Sequence, residues 1–103
     1  GGTSTKRKEE ILEDLERRRA ERFHDILENL PEKPGELFEQ LQAFSRDYQI
    51  HLHFQEEDPH WESYIFSSGR LWGDPLETSI QAICDGREVS INGFTFATTK
   101  VTV

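Results

Sequence analysis

The sequence predicts an α+β domain, with an N-terminal αα-hairpin packed on an antiparallel β-meander of four or five strands. Apolar residues in the first half of the chain recur at spacings of three and four, as on one face of an amphipathic helix. From Gln49 onward, apolar and polar residues alternate, which is typical of a strand with one buried face. Near the C-terminus, Asp85-Gly86 and Asn92-Gly93 are dipeptides typical of two-residue hairpin turns.

The first helix is predicted over residues 6–30, where the helix formers Glu, Leu, Arg and Ala dominate. It ends at Pro31, because a proline disfavours the α region for the residue before it. The second helix is predicted over residues 35–48, and Pro34 suits its first turn. Since the connection is short, we expect the two helices to pack against each other as an αα-hairpin.

Two strands are predicted directly after the second helix. In residues 50–55, three apolar residues alternate with His51, His53 and a glutamine, so one face of this strand is polar. A turn at Glu56-Glu57-Asp58-Pro59 separates it from a second strand at residues 61–66, which is rich in aromatic residues.

The two glycine-containing turns predict three C-terminal strands with a single register. Two-residue loops at 85–86 and 92–93 each fix which side chains lie opposite one another. The expected cross-strand pairs are Cys84–Arg87, Ala82–Val89, Ile80–Ile91, Ile91–Phe94 and Val89–Phe96. One face of these strands would then be apolar, and this agreement between two separate signals favours the meander.

Composition indicates a small acidic domain without disulfides. Hydrophobic residues make up 34% of the chain and the net charge is −8, which disfavours non-specific binding to DNA or anionic membranes. The one cysteine, Cys84, fits a reducing compartment, and no segment is apolar enough to span a membrane, so we expect a cytoplasmic protein. Gly1-Gly2 resembles a tag remnant, so residues 1–5 are expected to be a disordered start before a single domain at residues 6–103.

The first helix is locally basic in an otherwise acidic chain. Residues 1–22 hold seven Lys and Arg against six acids, whereas the remainder holds five against fourteen. The apolar stripe weakens toward the N-terminus, so residues 6–22 are predicted to project from the domain or to pair with a second copy. A homodimer would add the buried apolar area that so polar a chain lacks. The predicted dimerisation residues are Leu12, Leu15, Arg19, Phe23 and Ile26.

Three histidines form a pattern that zinc could use. His51 and His53 share one face of a predicted strand, and His60 follows in the acidic turn. Three imidazoles and a water ligand make an open catalytic zinc site. The competing interpretation, a polar strand edge facing solvent, is favoured because no further pattern fixes the third ligand. We therefore expect no metal or other cofactor, and a zinc site or metal-dependent enzyme at these histidines is an alternative hypothesis.

No motif in the sequence supports catalysis or nucleotide binding, since GxSxG and GxGxxG are both absent. A second alternative is a regulatory protein that contacts nucleic acid through Lys6-Arg7-Lys8 and Arg17-Arg18-Arg19 of the first helix. The interleaved acids largely cancel that positive field, which favours a salt-bridged helix surface.

The leading hypothesis is a non-catalytic protein–protein interaction module, a regulator or inhibitor that acts as a homodimer. Two tryptophans in so small a domain are typical of interface anchors as well as of a core. The acidic turn would face a protein partner with a basic surface. The predicted partner-binding residues are Trp72, Arg70, Trp61, Glu56, Glu57 and Asp58.

Overall fold

Three helices and four strands make up the described part of the chain. The computed structural model describes residues 2–56, 62–66, 72–93 and 99–101. In chain order the elements are α1 (Gly2–Glu28), α2 (Pro34–Tyr48), β1 (Leu52–Glu56), β2 (Glu62–Ile65), α3 (Asp74–Cys84), β3 (Val89–Gly93) and β4 (Thr99–Val101). The α+β class and the antiparallel sheet are therefore confirmed.

The contacts between α1 and α2 run in opposite directions along the two helices. Phe23 of α1 stacks on Phe44 of α2, with ring centroids 5.4 Å apart, and Arg22 forms a 2.7 Å ion pair with Asp47 near the end of α2. α1 begins at Gly2, earlier than predicted. Among its described side chains, Phe23 is the first that is buried, so most of the N-terminal part of α1 lies outside the core.

The four strands form one antiparallel sheet in the order β2-β1-β3-β4. β1 pairs with β2 on one side and with β3 on the other, and α3 connects β2 to β3 across the sheet. The predicted β-meander, in which each strand pairs with the next along the chain, is therefore wrong. The connecting helix buries its apolar side on the sheet, which is how a layer of helices covers one sheet face.

The segment predicted as the first of the three C-terminal strands is the helix α3. Its buried residues are Leu76, Ser79, Ile80, Ala82 and Ile83. Pro75 in the first turn favours a helix, because that position needs no amide donor. The predicted pairing of Ile80 with Ile91 and of Ala82 with Val89 is therefore wrong. The apolar residues between 80 and 84 fit both the alternation of a strand and the three-to-four spacing of a helix. The apolar residue at position 76, four residues before Ile80, favours the helix.

Asp85-Gly86 ends α3 and does not form a hairpin turn. The amide of Arg87 donates a hydrogen bond of 2.9 Å to the carbonyl oxygen of Ala82, and the amide of Gly86 donates to Ile83 at 3.2 Å. Gly86 has a φ of 84°, which glycine adopts without strain. A glycine with positive φ serves a helix end and a hairpin turn equally well, so the dipeptide alone did not distinguish them. The predicted pair of Cys84 with Arg87 is therefore wrong.

Asn92-Gly93 lies inside β3, where it pairs with β1 and does not form a turn. The β3–β4 pairs are Val89–Val101, Ser90–Lys100 and Ile91–Thr99. The predicted pairing of β3 with Phe94 and Phe96 is therefore wrong, and residues 94–98 themselves lie outside the described part of the chain. The longer connection allows Val101 to reach the core, where it is buried.

The core lies between the helices and one face of the sheet. Ile50, Leu52 and Phe54 are at most 1% exposed, which confirms the predicted alternation in this strand. Ser63 of β2 and Ser79 of α3 are also buried, and their hydroxyl groups share a hydrogen bond of 2.7 Å. This polar contact joins α3 to the sheet inside a largely apolar core.

Candidate functional site

The candidate site lies on the face of the sheet that points away from the core, which we call the outer face. Side chains alternate along each strand, so Leu52 and Phe54 lie in the core while His53 lies on the outer face. On β2, Ile65 is buried and Tyr64 is 42% exposed. The outer face is therefore open to solvent around Tyr64.

Four rings on the outer face pack against one another, and we call them the ring cluster. His53 lies opposite Tyr64 in the β1–β2 ladder, and their rings stack at 4.9 Å with an interplanar angle of 11°. Tyr64 stacks in turn on Phe66 at 5.8 Å. The edge-on contact between His51 and Phe66 has centroids 5.0 Å apart. Two neighbouring segments thus form a continuous aromatic surface.

A shallow depression with a volume of about 310 Å³ lies at the ring cluster. Asn92 and Gly93 of β3 complete its lining. Small-molecule sites span about 300–1,000 Å³, so this volume is at the low end and suits one side chain of a partner better than a large cofactor.

Two of the three histidines in the alternative zinc hypothesis belong to the ring cluster. His51 and His53 lie on the same side of the β1 segment, as predicted, and each packs against an aromatic ring of the neighbouring segment. His60 lies outside the described residues. Within the described residues, no group of three or more His, Cys, Asp or Glu side chains is placed to hold a metal ion. Through their contacts with Phe66 and Tyr64, the two imidazoles contribute to the aromatic surface of the ring cluster.

Trp72 is the predicted partner-binding residue whose side chain the structure describes. Trp72 is 43% exposed, and its ring meets that of Phe38 of α2 edge-on, with centroids 4.6 Å apart. The backbone of Glu56 ends β1. The remaining residues of this predicted set, Glu57, Asp58, Trp61 and Arg70, lie outside the described part of the chain. Trp72 therefore marks a surface on the helix side of the sheet, apart from the ring cluster.

The five predicted dimerisation residues divide into two groups along α1. Leu12 is 58% exposed and Leu15 is half-buried, whereas Phe23 and Ile26 are buried in the domain's own core. Between the two groups, Arg19 donates a 3.3 Å hydrogen bond to a backbone carbonyl at the end of α2. The N-terminal part of α1 thus leaves apolar side chains in solvent, while its C-terminal part packs on α2.

The arginines of the basic cluster are largely paired within the chain. Arg17 and Arg18 both pair with Asp14 on the same helix, Arg18 at 3.1 Å. Arg22 pairs with Asp47 across the α1–α2 contact. Each pair neutralises part of the charge that a phosphate contact would need.

Cys84 lies in the last turn of α3 and is half-buried. Its thiol donates a 3.7 Å hydrogen bond to the carbonyl oxygen of Pro31. Burial raises the pKa of the Cys84 thiol above its ordinary value of 9.0, and the carboxylate of Asp85 raises it further. Because the thiolate is the reactive form, this environment makes Cys84 a poor nucleophile at neutral pH.

Tyr64 and Phe66 belong to the candidate site but not to the set of site residues predicted from the sequence. The signal that could have found them is a period of two, since rings recur at 51 and 53 and again at 64 and 66. These rings form one site only because the two segments lie side by side in the sheet, as the pairing of β1 with β2 shows.

Comparison with known proteins assigns no family to this chain. No protein-family model matches it, and neither a curated protein nor a solved structure matches it significantly. Among the described residues, no helix combines the length and the apolar character needed to cross a membrane. A functional assignment therefore rests on the geometry of the site.

Proposed function

We propose that this chain is a non-catalytic protein-interaction module, a regulator or inhibitor that binds a basic, extended segment of a partner protein along the outer face. The observation that carries the proposal is the ring cluster, a set of mutually stacked rings on an open sheet face. Exposed, well-packed aromatic side chains are typical anchors of protein interfaces.

Tyr64 is the expected centre of this interaction. Its ring stacks on both His53 and Phe66, yet it is 42% exposed. A ring held between two neighbours has little rotamer freedom left to lose when a partner binds. Its exposed surface can therefore accept a partner side chain at a low entropic cost.

The charge distribution supports a basic partner. The chain has a net charge of −8, and Glu56, the last residue of β1, is followed in the sequence by Glu57 and Asp58. The outer face also carries the positive charge of Lys100, and Glu88 offsets that charge through a 2.8 Å ion pair. The field of a negatively charged chain attracts a basic partner segment and speeds its association.

The strand order supports an extended partner segment. β2 is at one end of the order β2-β1-β3-β4, and in the described part of the sheet it pairs with β1 alone. An extended peptide can add to such an edge through main-chain hydrogen bonds, with specificity from alternate side chains. Tyr64 and Phe66, two residues apart, would contact such alternate side chains.

Selection from a library of short random peptides displayed on phage tests this proposal. The recovered peptides are expected to be enriched in Arg and Lys. The Tyr64→Ala variant is expected to bind a recovered peptide at least roughly tenfold more weakly in fluorescence anisotropy, as for other interface anchors. Trp72→Ala tests the competing surface predicted from the sequence, because Trp72 is equally exposed but packs on Phe38 of α2. If the ring cluster is the binding site, this variant is expected to bind like the wild type.

Two further outcomes decide the proposal. Binding should weaken steeply as the salt concentration rises, because exposed charges are screened. Peptides recovered without a basic preference, or an affinity that falls with Trp72→Ala and not with Tyr64→Ala, contradict it. Far-UV circular dichroism of both variants establishes that the fold is retained.

A further inference from the structure

α1 extends well beyond the helix on which it packs. Its contact with α2 begins at Arg19, which binds the carbonyl oxygen of the last residue of α2. We call residues 2–18 of α1 the overhang. Ile11 and Leu12 in the overhang are 59% and 58% exposed, and together with the half-buried Leu15 they form one contiguous apolar patch. Contiguous exposed apolar surface indicates a site covered by another chain.

The other half of α1 forms a groove with α2, with a volume of about 690 Å³. We call it the α1–α2 groove. It is lined by Arg22, Asp25, Ile26, Asn29, Glu36, Glu39, Gln40 and Ala43. Three of these residues are acidic, with Ile26 and Ala43 as the apolar members, so the groove suits a helix that is basic at one end and apolar in the middle.

The overhang has the length and the charge pattern that this groove needs. Its seventeen residues span about 25 Å, and the fifteen residues of α2 span about 22 Å. Arg7 and Lys8 are exposed at its N-terminal end, and Glu9 and Glu10, also exposed, separate them from the apolar patch. Because Lys8 precedes Ile11 by three residues, Lys8 lies in line with Ile11 and Leu15 on one side of the helix. Along this line the overhang is complementary in length, charge and polarity to the groove of another copy.

The apolar patch and the groove also lie on the same flank of α1. Ile11, Leu15, Arg18, Arg22, Asp25 and Asn29 follow one another at alternating spacings of four and three. Residues with this spacing form one continuous strip along a helix. Two copies placed antiparallel along this strip can therefore each insert an overhang into the other's groove.

We propose that two copies of this chain form a two-fold dimer in which antiparallel α1 helices cross beside Arg18 and each overhang occupies the α1–α2 groove of the other copy. Ile11 of one copy then comes level with Ile26 of the second copy. Lys8 comes level with Asn29 of the second copy, at the end of the groove where Glu36 also lies. The dimer does not depend on the ring cluster, which lies on the outer face of the sheet.

The remaining charges along the crossing are compatible with this arrangement. In this register Asp14 of one copy lies near Arg22 of the second copy, and the two opposite charges attract each other. The two Arg18 side chains approach each other at the axis, and the 3.1 Å ion pair of each with Asp14 offsets their repulsion. Pairing also supports the overhang itself, because helices in proteins gain most of their stability from packing of an amphipathic face.

Sedimentation equilibrium of the full chain tests the dimer. The wild type is expected to dimerise at tens of micromolar, and Ile11→Asp is expected to be monomeric. Ile11 is 59% exposed within one copy, so this variant should keep the far-UV spectrum of the folded chain. A monomeric wild type, or an Ile11→Asp variant that still dimerises, overturns the proposal.

A charge exchange tests the register of the pairing. Lys8→Glu and Glu36→Lys are each expected to weaken dimerisation at least about tenfold, because they bring like charges together. The double variant should recover the affinity, since it restores the attraction in the opposite sense. Glu77→Lys, an exposed change of the same charge on α3, is the control and should dimerise like the wild type. Failure of the double variant to recover would exclude this register.

Cysteine cross-linking tests the antiparallel direction in a Cys84→Ala background. Arg18→Cys lies beside the proposed axis and is expected to form an intermolecular disulfide on mild oxidation. Ile11→Cys is expected to remain uncross-linked, because the two copies of this position lie roughly 22 Å apart along the helix axes. Efficient cross-linking at both positions would indicate parallel helices and overturn the proposal.

Discussion

Two helices of this chain end on a residue with a left-handed backbone conformation. Gly86 has a φ of 84° after α3, and Gln49 has a φ of 53° after α2. In the second case the amide of Ile50 donates a 3.0 Å hydrogen bond to the carbonyl oxygen of Ser45, which closes the last turn. A residue with a Cβ atom loses about 1–2 kcal/mol in this conformation, so α2 ends at a local cost that α3 avoids.

Replacing Gln49 by glycine is expected to stabilise the fold by about 1 kcal/mol, because glycine adopts this conformation without a steric clash. The change should raise the urea concentration at the midpoint of unfolding. Gln40→Gly is the matched control. Gln40 is exposed inside α2, where the same substitution should lower stability by about 1 kcal/mol. An unchanged or lowered stability of Gln49→Gly would contradict the left-handed end of α2.

Cys84 is expected to react slowly with a thiol reagent in the folded protein, because burial raises the pKa of its thiol above 9.0. The labelling rate of the folded chain should still be rising with pH above 9. At every pH below 9, the urea-unfolded chain should react faster than the folded chain. The Cys84→Ser variant should not react. Equal rates in the folded and unfolded chain would contradict the predicted burial effect.

The same shift links Cys84 to the pH dependence of folding. The folded-state pKa lies above the unfolded-state pKa, so the unfolded chain loses its proton first as pH rises. The stabilising contribution is therefore fully present below about pH 9 and is lost as pH rises through the folded-state pKa. Cys84→Ser should remove this part of the alkaline loss of stability in urea unfolding.

At the scale of secondary-structure elements, the ring cluster is a consequence of one strand register. His53 faces Tyr64 because β1 and β2 pair with Leu52 opposite Ile65. A slip of one residue would turn every side chain of β2 to the other face and bury Tyr64 instead. The burial of Ile65 and the exposure of Tyr64 are therefore two results of the same pairing.

The contact between β2 and α3 depends on two buried hydroxyl groups. Ser79→Ala is expected to destabilise the fold by about 1–3 kcal/mol, because it removes the hydroxyl that Ser63 contacts in the core. The double variant with Ser63→Ala should recover part of the loss, since it removes the remaining buried polar group. Thr78→Ala, exposed on the same helix, is the control and should change stability by less than about 0.5 kcal/mol. Chemical unfolding of the wild type, the Ser79→Ala, Ser63→Ala and Thr78→Ala variants and the double serine variant gives the comparison. Additive losses from the two serine substitutions would contradict a shared hydrogen bond.

At the scale of the whole molecule, the shape follows from α1. The chain measures 50 × 25 × 25 Å and has a radius of gyration of 14.9 Å. A compact domain of this length has a radius of gyration of about 13 Å. The excess reflects a helix that continues past the element on which it packs, and the proposed dimer would cover this extension.

Local signals were sufficient for part of this fold. Proline at 31 and 34 separated two helices, and alternation from residue 50 identified β1 with its buried Leu52 and Phe54. These features depend on neighbouring residues, because backbone restriction by proline and side-chain alternation act over a few positions.

Local sequence signals predicted only part of the candidate site. The sequence placed His51 and His53 on one polar face, and the structure agrees. It did not bring Tyr64 and Phe66 to that face, because the pairing of β1 with β2 determines which side chains become neighbours.

The amino-acid sequence by itself determined two helices, two strands, the acidic character and the side of β1 that faces the core. Only the tertiary structure decided that residues 74–84 are helical and that β3 lies beside β1. The apolar residues of that segment fit both a strand and a helix, and Gly86 fits the end of either. The choice depends on which form buries Leu76, Ile80 and Ile83 against the sheet, and that is a property of the assembled core.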